Sequence, residues 1–462
     1  MKPVFLKKNI RIILILLLGL FIRLFRLEQT AVFVGDQGRD YLVARDILIY
    51  HRFPLLGPQT SIPWIYLGPF FYYFLAFFLW IGKFDPIWPA YGTAFFGVLA
   101  IYLIYLLGEK LFDEKAGLLS ALFYAISPYA ILQSRISLHP SILPVFVIFF
   151  LISLTDLSRC VKLLHSRGVA LISFLVAVQL HLSAILLLPI SFICWEMVRF
   201  RKIRELRSLR LLKLFMIGVF GIAAIKILKG SPFTPFSYWW KIFEEIFSYG
   251  NFFGAVLALG IVVFGLIRAI REIGVGSKII LISLVVIVCG LAVKNSQAEH
   301  YFNLFLPVII IFFSLGLTQL WKSRFGSILV YFICAFFLIS NYYLLITTNY
   351  FSKIYGLGLA ERIKVAKAIT DDSGKKEFEL ARCGPLWDYP STNNNYEYLV
   401  WWLGGKFQKK EKSKTKNLPT YIIYEPSSSI EESEVCRNYF GIKKEGLIIF
   451  QSKDILVIKQ ET

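Results

Sequence analysis

Asp36, Arg39 and Asp40 lie within five residues of one another, with Arg45 and Asp46 close behind, in a chain where only 17% of residues are charged. A carboxylate in such company can accept a proton, and a neighbouring guanidinium can hold an anion. Asp36 sits in a Gly-flanked turn, Gly35-Asp36-Gln37-Gly38, where a carboxylate can also cap the amides that follow. An amphipathic helix is expected over 39–51, with Tyr41, Leu42, Ile47, Leu48 and Tyr50 opposed to Arg39, Arg45 and Asp46. Asp40, Arg45 and Asp46 then read as the polar side of a helix lying in a membrane interface. Arg135, His139, His181, Lys294, His300 and Tyr301 each stand at the edge of an apolar run. The six cysteines show no CxxC or other ligand spacing, so no metal site and no cofactor is assigned.

Membrane helices must position these residues. The chain is 57% hydrophobic and 17% aromatic, with a mean hydropathy of +0.63, beyond what a soluble domain reaches. Its net charge of +20 comes from short basic clusters between apolar runs. That is a positive-inside pattern rather than a phosphate-binding face, which argues against nucleic acid as a partner. Lys2, Lys7, Lys8 and Arg11 precede an apolar stretch with no small-residue cleavage site, so an uncleaved first span at about 10–27 is expected, its N-terminus cytoplasmic. Further spans are expected at about 87–108, 116–132, 141–156, 168–181, 183–198, 211–228, 252–268, 278–294, 301–319 and 325–346, of which 168–181 and 183–198 are short and meet at His181, implying a thinned or invaginated outer region there.

Parity sets the role of 66–82. The basic clusters Arg159/Lys162/Arg167, Arg199–Lys213, Arg268/Arg271/Lys278 and Lys322/Arg324 share one face only if 66–82 does not cross, so this aromatic-rich segment is expected to lie in or dip into the outer interface. The fold class is therefore an all-α polytopic membrane protein of about eleven transmembrane helices plus juxtamembrane helices, with a small C-terminal α/β domain. The transmembrane domain covers 1–346, with a first outer loop over 28–86, and an extracytoplasmic α/β domain covers 347–462. In that domain, helices are expected at 358–370 and 395–403 and strands at 378–381, 421–424, 447–450 and 455–458, with 406–416 a solvated loop. Cys383 and Cys436 are its only cysteines, and whether they pair is left open. The protein is expected to be a multi-pass integral protein of the plasma (inner) membrane.

This topology gathers Asp36, Arg39, Asp40, Arg135, His139, His181, Lys294, His300 and Tyr301 at one membrane face. One carboxylate among several cations at a lipid surface suits a reaction on a phosphate-bearing lipid. The cations hold the phosphate as it departs, and the carboxylate takes a proton from an attacking hydroxyl.

The sequence resembles the C-type membrane glycosyltransferases related to protein O-mannosyltransferases and lipid A aminoarabinose transferases (glycosyltransferase family 39-like). The resemblance rests on Asp36-Gln37-Gly38-Arg39-Asp40-Tyr41 with Ala44-Arg45, Leu67-Gly68-Pro69-Phe70-Phe71-Tyr72-Tyr73, and Leu107-Gly108-Glu109-Lys110-Leu111-Phe112 with Ala116-Gly117-Leu118-Leu119. It continues in Ser127-Pro128, Ser134-Arg135, Leu138-His139-Pro140 and His300-Tyr301 before Leu306-Pro307. It implies transfer of a sugar, with inversion, from a polyprenyl-phosphate donor to a lipid, glycan or protein acceptor at the extracytoplasmic face. It further implies that Asp36 is the general base, and that the basic-Tyr pair His300-Tyr301 holds phosphate. Arg39, Arg135, His139 and His181 complete the expected substrate- and phosphate-binding set. Gln37 stands where the family usually has a second acidic residue, and His139 where it often has one. The other readings are a flippase or transporter of lipid-linked sugars and a non-enzymatic receptor or scaffold.

Overall fold

The computed structural model describes residues 3–199 apart from 61, 63, 160 and 162, then 218, 234–347 apart from 273 and 295–297, and 357–409 apart from 375, 385 and 386. Beyond these it describes 418–425, 435–436, 438–440, 446–452 and 455–461. The span expected at 211–228, with Lys226 and Lys229, lies outside the described residues except for Gly218.

In chain order the helices are α1 (Pro3–Leu24), α2 (Leu27–Thr30), α3 (Gly35–Tyr50), α4 (Phe70–Ile81), α5 (Trp88–Leu111), α6 (Glu114–Ile126), α7 (Pro128–Gln133), α8 (Leu143–Ser158), α9 (Leu163–Leu180) and α10 (Leu187–Arg199). They continue as α11 (Phe236–Phe247), α12 (Phe252–Arg271), α13 (Val275–Lys294), α14 (Leu306–Leu320), α15 (Arg324–Thr347), α16 (Leu359–Ser373) and α17 (Asn394–Trp402). Among the described residues, six helices are long and apolar enough to cross a membrane, while α4, α14 and Leu182–Cys194 are shorter. Against the expected eleven crossings, the described residues thus hold six helices of full spanning length and several shorter apolar ones. With 12 residues α4 is ~18 Å long, shorter than a hydrocarbon core of ~30 Å.

Local chemistry breaks two of the expected spans. The segment 116–132 divides at Ser127-Pro128. Proline has no amide to continue α6, and the Ser127 hydroxyl accepts from the Ala130 amide at 3.3 Å to start α7. The segment 183–198 begins as a 3-10 turn, Leu182–Leu186, capped by the His181 side chain. The amphipathic helix α11 occupies a stretch to which sequence reading assigned no element.

The C-terminal region holds a five-stranded sheet in the order β2-β1-β3-β5-β4, with β1 Glu377–Cys383, β2 Lys406–Lys409, β3 Thr420–Tyr424, β4 Leu447–Gln451 and β5 Leu456–Gln460. β2, β1 and β3 run parallel, and β5 pairs antiparallel with both β3 and β4. Residues 406–409, expected as loop, are thus an edge strand, and the rest of that loop lies outside the described residues. Cys383 and Cys436 form a disulfide.

One apolar core is continuous from the bundle into this region. The link is aromatic: Tyr41 of α3 meets Tyr398 of α17 edge-on at 5.3 Å, and Phe33 contacts both rings. Close backbone approach requires glycine here. A Cβ on Gly38 would lie 2.2 Å from the Asn395 amide nitrogen, and one on Gly35 would lie 2.2 Å from the Ser391 carbonyl oxygen. Gly38→Ala therefore forces α3 and α17 apart, with an expected loss of ~1–3 kcal/mol seen as a lower thermal unfolding temperature in detergent. An unchanged melting temperature would mean that the two helices do not need this contact.

Candidate active site

Asp36 lies in the first turn of α3, one residue further into the helix than the expected turn. The capping group is the Gln37 side chain, which accepts from the Val34 amide at 3.0 Å while donating to Ser137 Oγ at 2.9 Å. This leaves the Asp36 carboxylate available for chemistry. Its Oδ1 accepts from Arg39 Nη1 at 3.0 Å and from Ser391 Oγ at 2.6 Å, and Oδ2 has no protein partner among the described residues. The Asp36 side chain is 43% exposed.

Arg39 bridges Asp36 to Asp40, whose Oδ1 it contacts at 2.8 Å. The structure corrects the interfacial reading of Asp40. Its side chain is 0% exposed and Oδ2 is buried without a hydrogen-bond partner. Burial pushes its carboxyl up to about 7 despite Arg39. On the supposed polar face α17 covers Arg45, which stacks on Trp401 at 5.0 Å while pairing with Asp46 at 2.6 Å. Sequence periodicity cannot register a cover supplied from some 350 residues away.

Three histidines from distant segments meet beside this carboxylate. The rings of His139 and His181 stack at 6.2 Å, and His300 approaches them at 6.5 and 5.1 Å. Tyr301 packs edge-on to His181 at 4.4 Å, with Lys294 Nζ 5.5 Å from its ring centre. Each member is held from outside the cluster. His139 Nδ1 faces the Leu180 carbonyl at 2.7 Å, so it carries the proton and leaves Nε2 as an acceptor. His181 Nδ1 accepts from the Ser183 amide at 3.3 Å, which places the proton of the neutral ring on Nε2. The 3-10 turn bearing His300 is pinned by Asn303, which donates to Gln133 Oε1 at 3.0 Å and to the Pro140 carbonyl at 2.9 Å. Tyr129 adds a bond to the Glu299 carbonyl at 2.7 Å.

Burial pushes His300 down to about 4, although the Asp36 carboxylate opposes the shift. His181 lies well below the usual imidazole range, through burial first and then through His300, His139 and Lys294. Both rings are therefore neutral at physiological pH, and both keep N–H donors. Among the described residues, no group of three His, Cys, Asp or Glu side chains is placed to hold a metal ion.

Of the residues expected from sequence, Asp36, Arg39, His139, His181, His300 and Tyr301 thus come together, with Lys294. Arg135 does not join them through its charged end. Its Nη1 donates to the carbonyls of Ile22, Arg23 and Phe25 at 2.8–3.1 Å, and its Nη2 to Thr30 Oγ1 at 2.5 Å. It satisfies carbonyls at the C-terminal end of α1 that would otherwise lack donors. Sequence reading missed Ser391, Ser137 and Asn303, ordinary polar residues that no motif marks.

No protein-family model matches the chain, and no curated protein matches it in sequence. Solved structures share its architecture. ArnT from Cupriavidus metallidurans bound to undecaprenyl phosphate aligns with a TM-score of 0.61 and 10% identity, over 98% of this chain and 97% of that one. Its apo state gives 0.60 and 12% over the same shares. The archaeal oligosaccharyltransferase AglB from Archaeoglobus fulgidus, in complex with an inhibitory peptide and a dolichol-phosphate, gives 0.57 and 12%, over 94% of this chain and 70% of that one. The fold is that of the C-type membrane glycosyltransferases. Within this membrane glycosyltransferase fold, the cluster occupies loops and helix ends, where side chains can vary without rebuilding the bundle.

Proposed function

We propose that the protein transfers a sugar from a polyprenyl-phosphate-linked donor to a nucleophilic group of an acceptor, with inversion, at the extracytoplasmic face of the membrane. The observation that carries this reading is an open carboxylate oxygen, Asp36 Oδ2, in the first turn of α3, beside a cluster of N–H donors and one lysine at the ends of apolar helices. Fold neighbours with undecaprenyl phosphate and dolichol-phosphate bound support a lipid-phosphate donor. Exposure supports Asp36 as the base: its side chain is 43% exposed and can reach a substrate, whereas that of Asp40 is 0% exposed.

In the proposed reaction the acceptor hydroxyl gives its proton to Asp36 as its oxygen attacks the anomeric carbon. The bond from that carbon to the phosphate oxygen breaks, and the electron pair leaves with the phosphate. His181, His300 and Lys294 stabilise the departing charge by hydrogen bonds and by the lysine charge. Arg39 keeps Asp36 ionised, since an adjacent cation favours a carboxylate over a carboxylic acid.

The direct test uses purified protein in proteoliposomes with undecaprenyl-phosphate-linked hexoses and pentoses, and a membrane extract as acceptor. Release of undecaprenyl phosphate with sugar transfer is expected for at least one donor, and no transfer from any of them would refute the reading. His300→Ala and Lys294→Ala are each expected to weaken undecaprenyl phosphate binding by roughly 10-fold or more, the worth of one hydrogen bond to a charged group. Unchanged binding in both variants would move the phosphate elsewhere.

A further inference from the structure

The C-terminal region touches the candidate base itself. Ser391 lies 355 residues beyond Asp36, yet its hydroxyl donates to Asp36 Oδ1 at 2.6 Å. Ser391 is 4% exposed, so this contact does not compete with bulk water. Three further features fix the turn that carries it. The Ser391 carbonyl fills the space a side chain on Gly35 would need. Asn395 donates to the Phe33 carbonyl at 3.1 Å, just ahead of α3. Thr392 accepts from Arg382 of β1, which also pairs with Glu425 at 2.5 Å. The turn is thus clamped between α3 and the sheet.

We propose that Ser391 is a positioning residue for Asp36, so that the C-terminal region completes the active site rather than being appended to it. The proposal rests on the glycosyltransferase reading above. Its logic is directional. Arg39 and Ser391 both bond Oδ1, from opposite sides of the α3–α17 seam, and together they set a carboxylate rotamer in which Oδ2 has no protein partner among the described residues. Arg39 alone cannot set it, because the same guanidinium is shared with Asp40. A base that turns away by about 1 Å loses much of its effect, on the order of 100-fold, because proton transfer needs hydrogen-bond contact with the attacking group.

The test compares wild type, Ser391→Ala and Ser391→Thr as full-length protein in proteoliposomes, with the same panel of undecaprenyl-phosphate-linked sugars. Ser391→Ala should lower kcat by ~10- to 100-fold with KM for the donor within about two-fold, and Ser391→Thr, which keeps the hydroxyl, should restore most of kcat. A purely structural role would instead lower the active fraction equally for both variants, and an alanine variant within two-fold of wild-type kcat would overturn the proposal. A melting cycle adds an activity-independent arm. Ser391→Ala should lower the melting temperature in the wild-type background and not in an Asp36→Ala background. Additive shifts would show that the two side chains are not coupled and would also overturn it. If the wild type transfers no sugar at all, the functional reading fails and the catalytic role of Ser391 with it, while a non-additive melting cycle would reduce the contact to a structural clasp.

Discussion

Asp36→Asn is expected to reduce sugar transfer by roughly 10²- to 10⁴-fold, the range over which a positioned general base acts. Undecaprenyl phosphate should still bind, because the histidine–lysine cluster is intact. Asparagine has the same shape, so Ser391 can still donate to the side-chain oxygen, and Arg39 keeps its bond to Asp40. The fold should therefore survive, and a normal melting temperature would show that the loss is chemical. Asp40→Asn is the matched control. Asp40 is buried and bonded only through Oδ1, so its removal should affect stability and the placing of Arg39 more than turnover. A loss confined to Asp40→Asn, with Asp36→Asn active, would assign the base to the buried carboxylate instead.

The second large effect lies away from the reacting atoms. Glu425 is buried and accepts from Arg362 and, at 2.5 Å, from Arg382, while the Tyr396 hydroxyl donates to it at 2.8 Å. Removing one partner of such a buried group leaves charge without compensation, at a cost of ~3–5 kcal/mol. Glu425→Ala strands two guanidiniums and should lower the unfolding temperature sharply. It should also loosen the Thr392 turn, and with it the Ser391 contact to Asp36. The pH dependence has a definite sign. Burial pushes the Glu425 carboxyl up, but Arg362 and Arg382 outweigh it and hold the group at about 2, below its ordinary value of 4.5. A depressed carboxyl stabilises the fold fully above about pH 4.5 and loses that contribution as pH falls toward about 2. Melting curves of wild type and Glu425→Ala between pH 3 and 7 should therefore converge toward the acid end. A gap independent of pH would mean that the glutamate acts through packing alone.

Several features were legible because one force dominates them. A bilayer leaves backbone polar groups no partner but the helix itself, so hydropathy alone exposes the spans. The break at Ser127-Pro128, which divides the span expected at 116–132, follows from the missing proline amide and the serine cap, a local signal that the hydropathy reading passed over. The grouping of Asp36 with His139, His181 and His300 came from alternation of spans, which brings every second loop to the same face. The strands of the C-terminal region were legible as short apolar runs, apart from the edge strand Lys406–Lys409, whose lysines look like a solvated loop.

What hydropathy could not resolve was which polar side chains turn inward. Arg135 and Asp40 are charged residues near a membrane surface, and by composition either could face water or phosphate. The fold instead sets Arg135 on the carbonyls ending α1 and buries Asp40, with Arg39 on its Oδ1. For Arg135 the deciding contacts lie more than 100 residues away in sequence, beyond the reach of any local period. Taken alone, the sequence determined that this is a polytopic membrane protein with an acidic turn and three histidines at the same end of its helices. Local periodicity and the bilayer's demand for satisfied backbone suffice for that. Only the tertiary structure decided that Asp36 is the open carboxylate, that Asp40 is the closed one, and that Ser391 reaches back across the chain to bond Asp36. Burial and side-chain direction depend on which distant segment covers a residue, and that is settled only when the chain closes on itself.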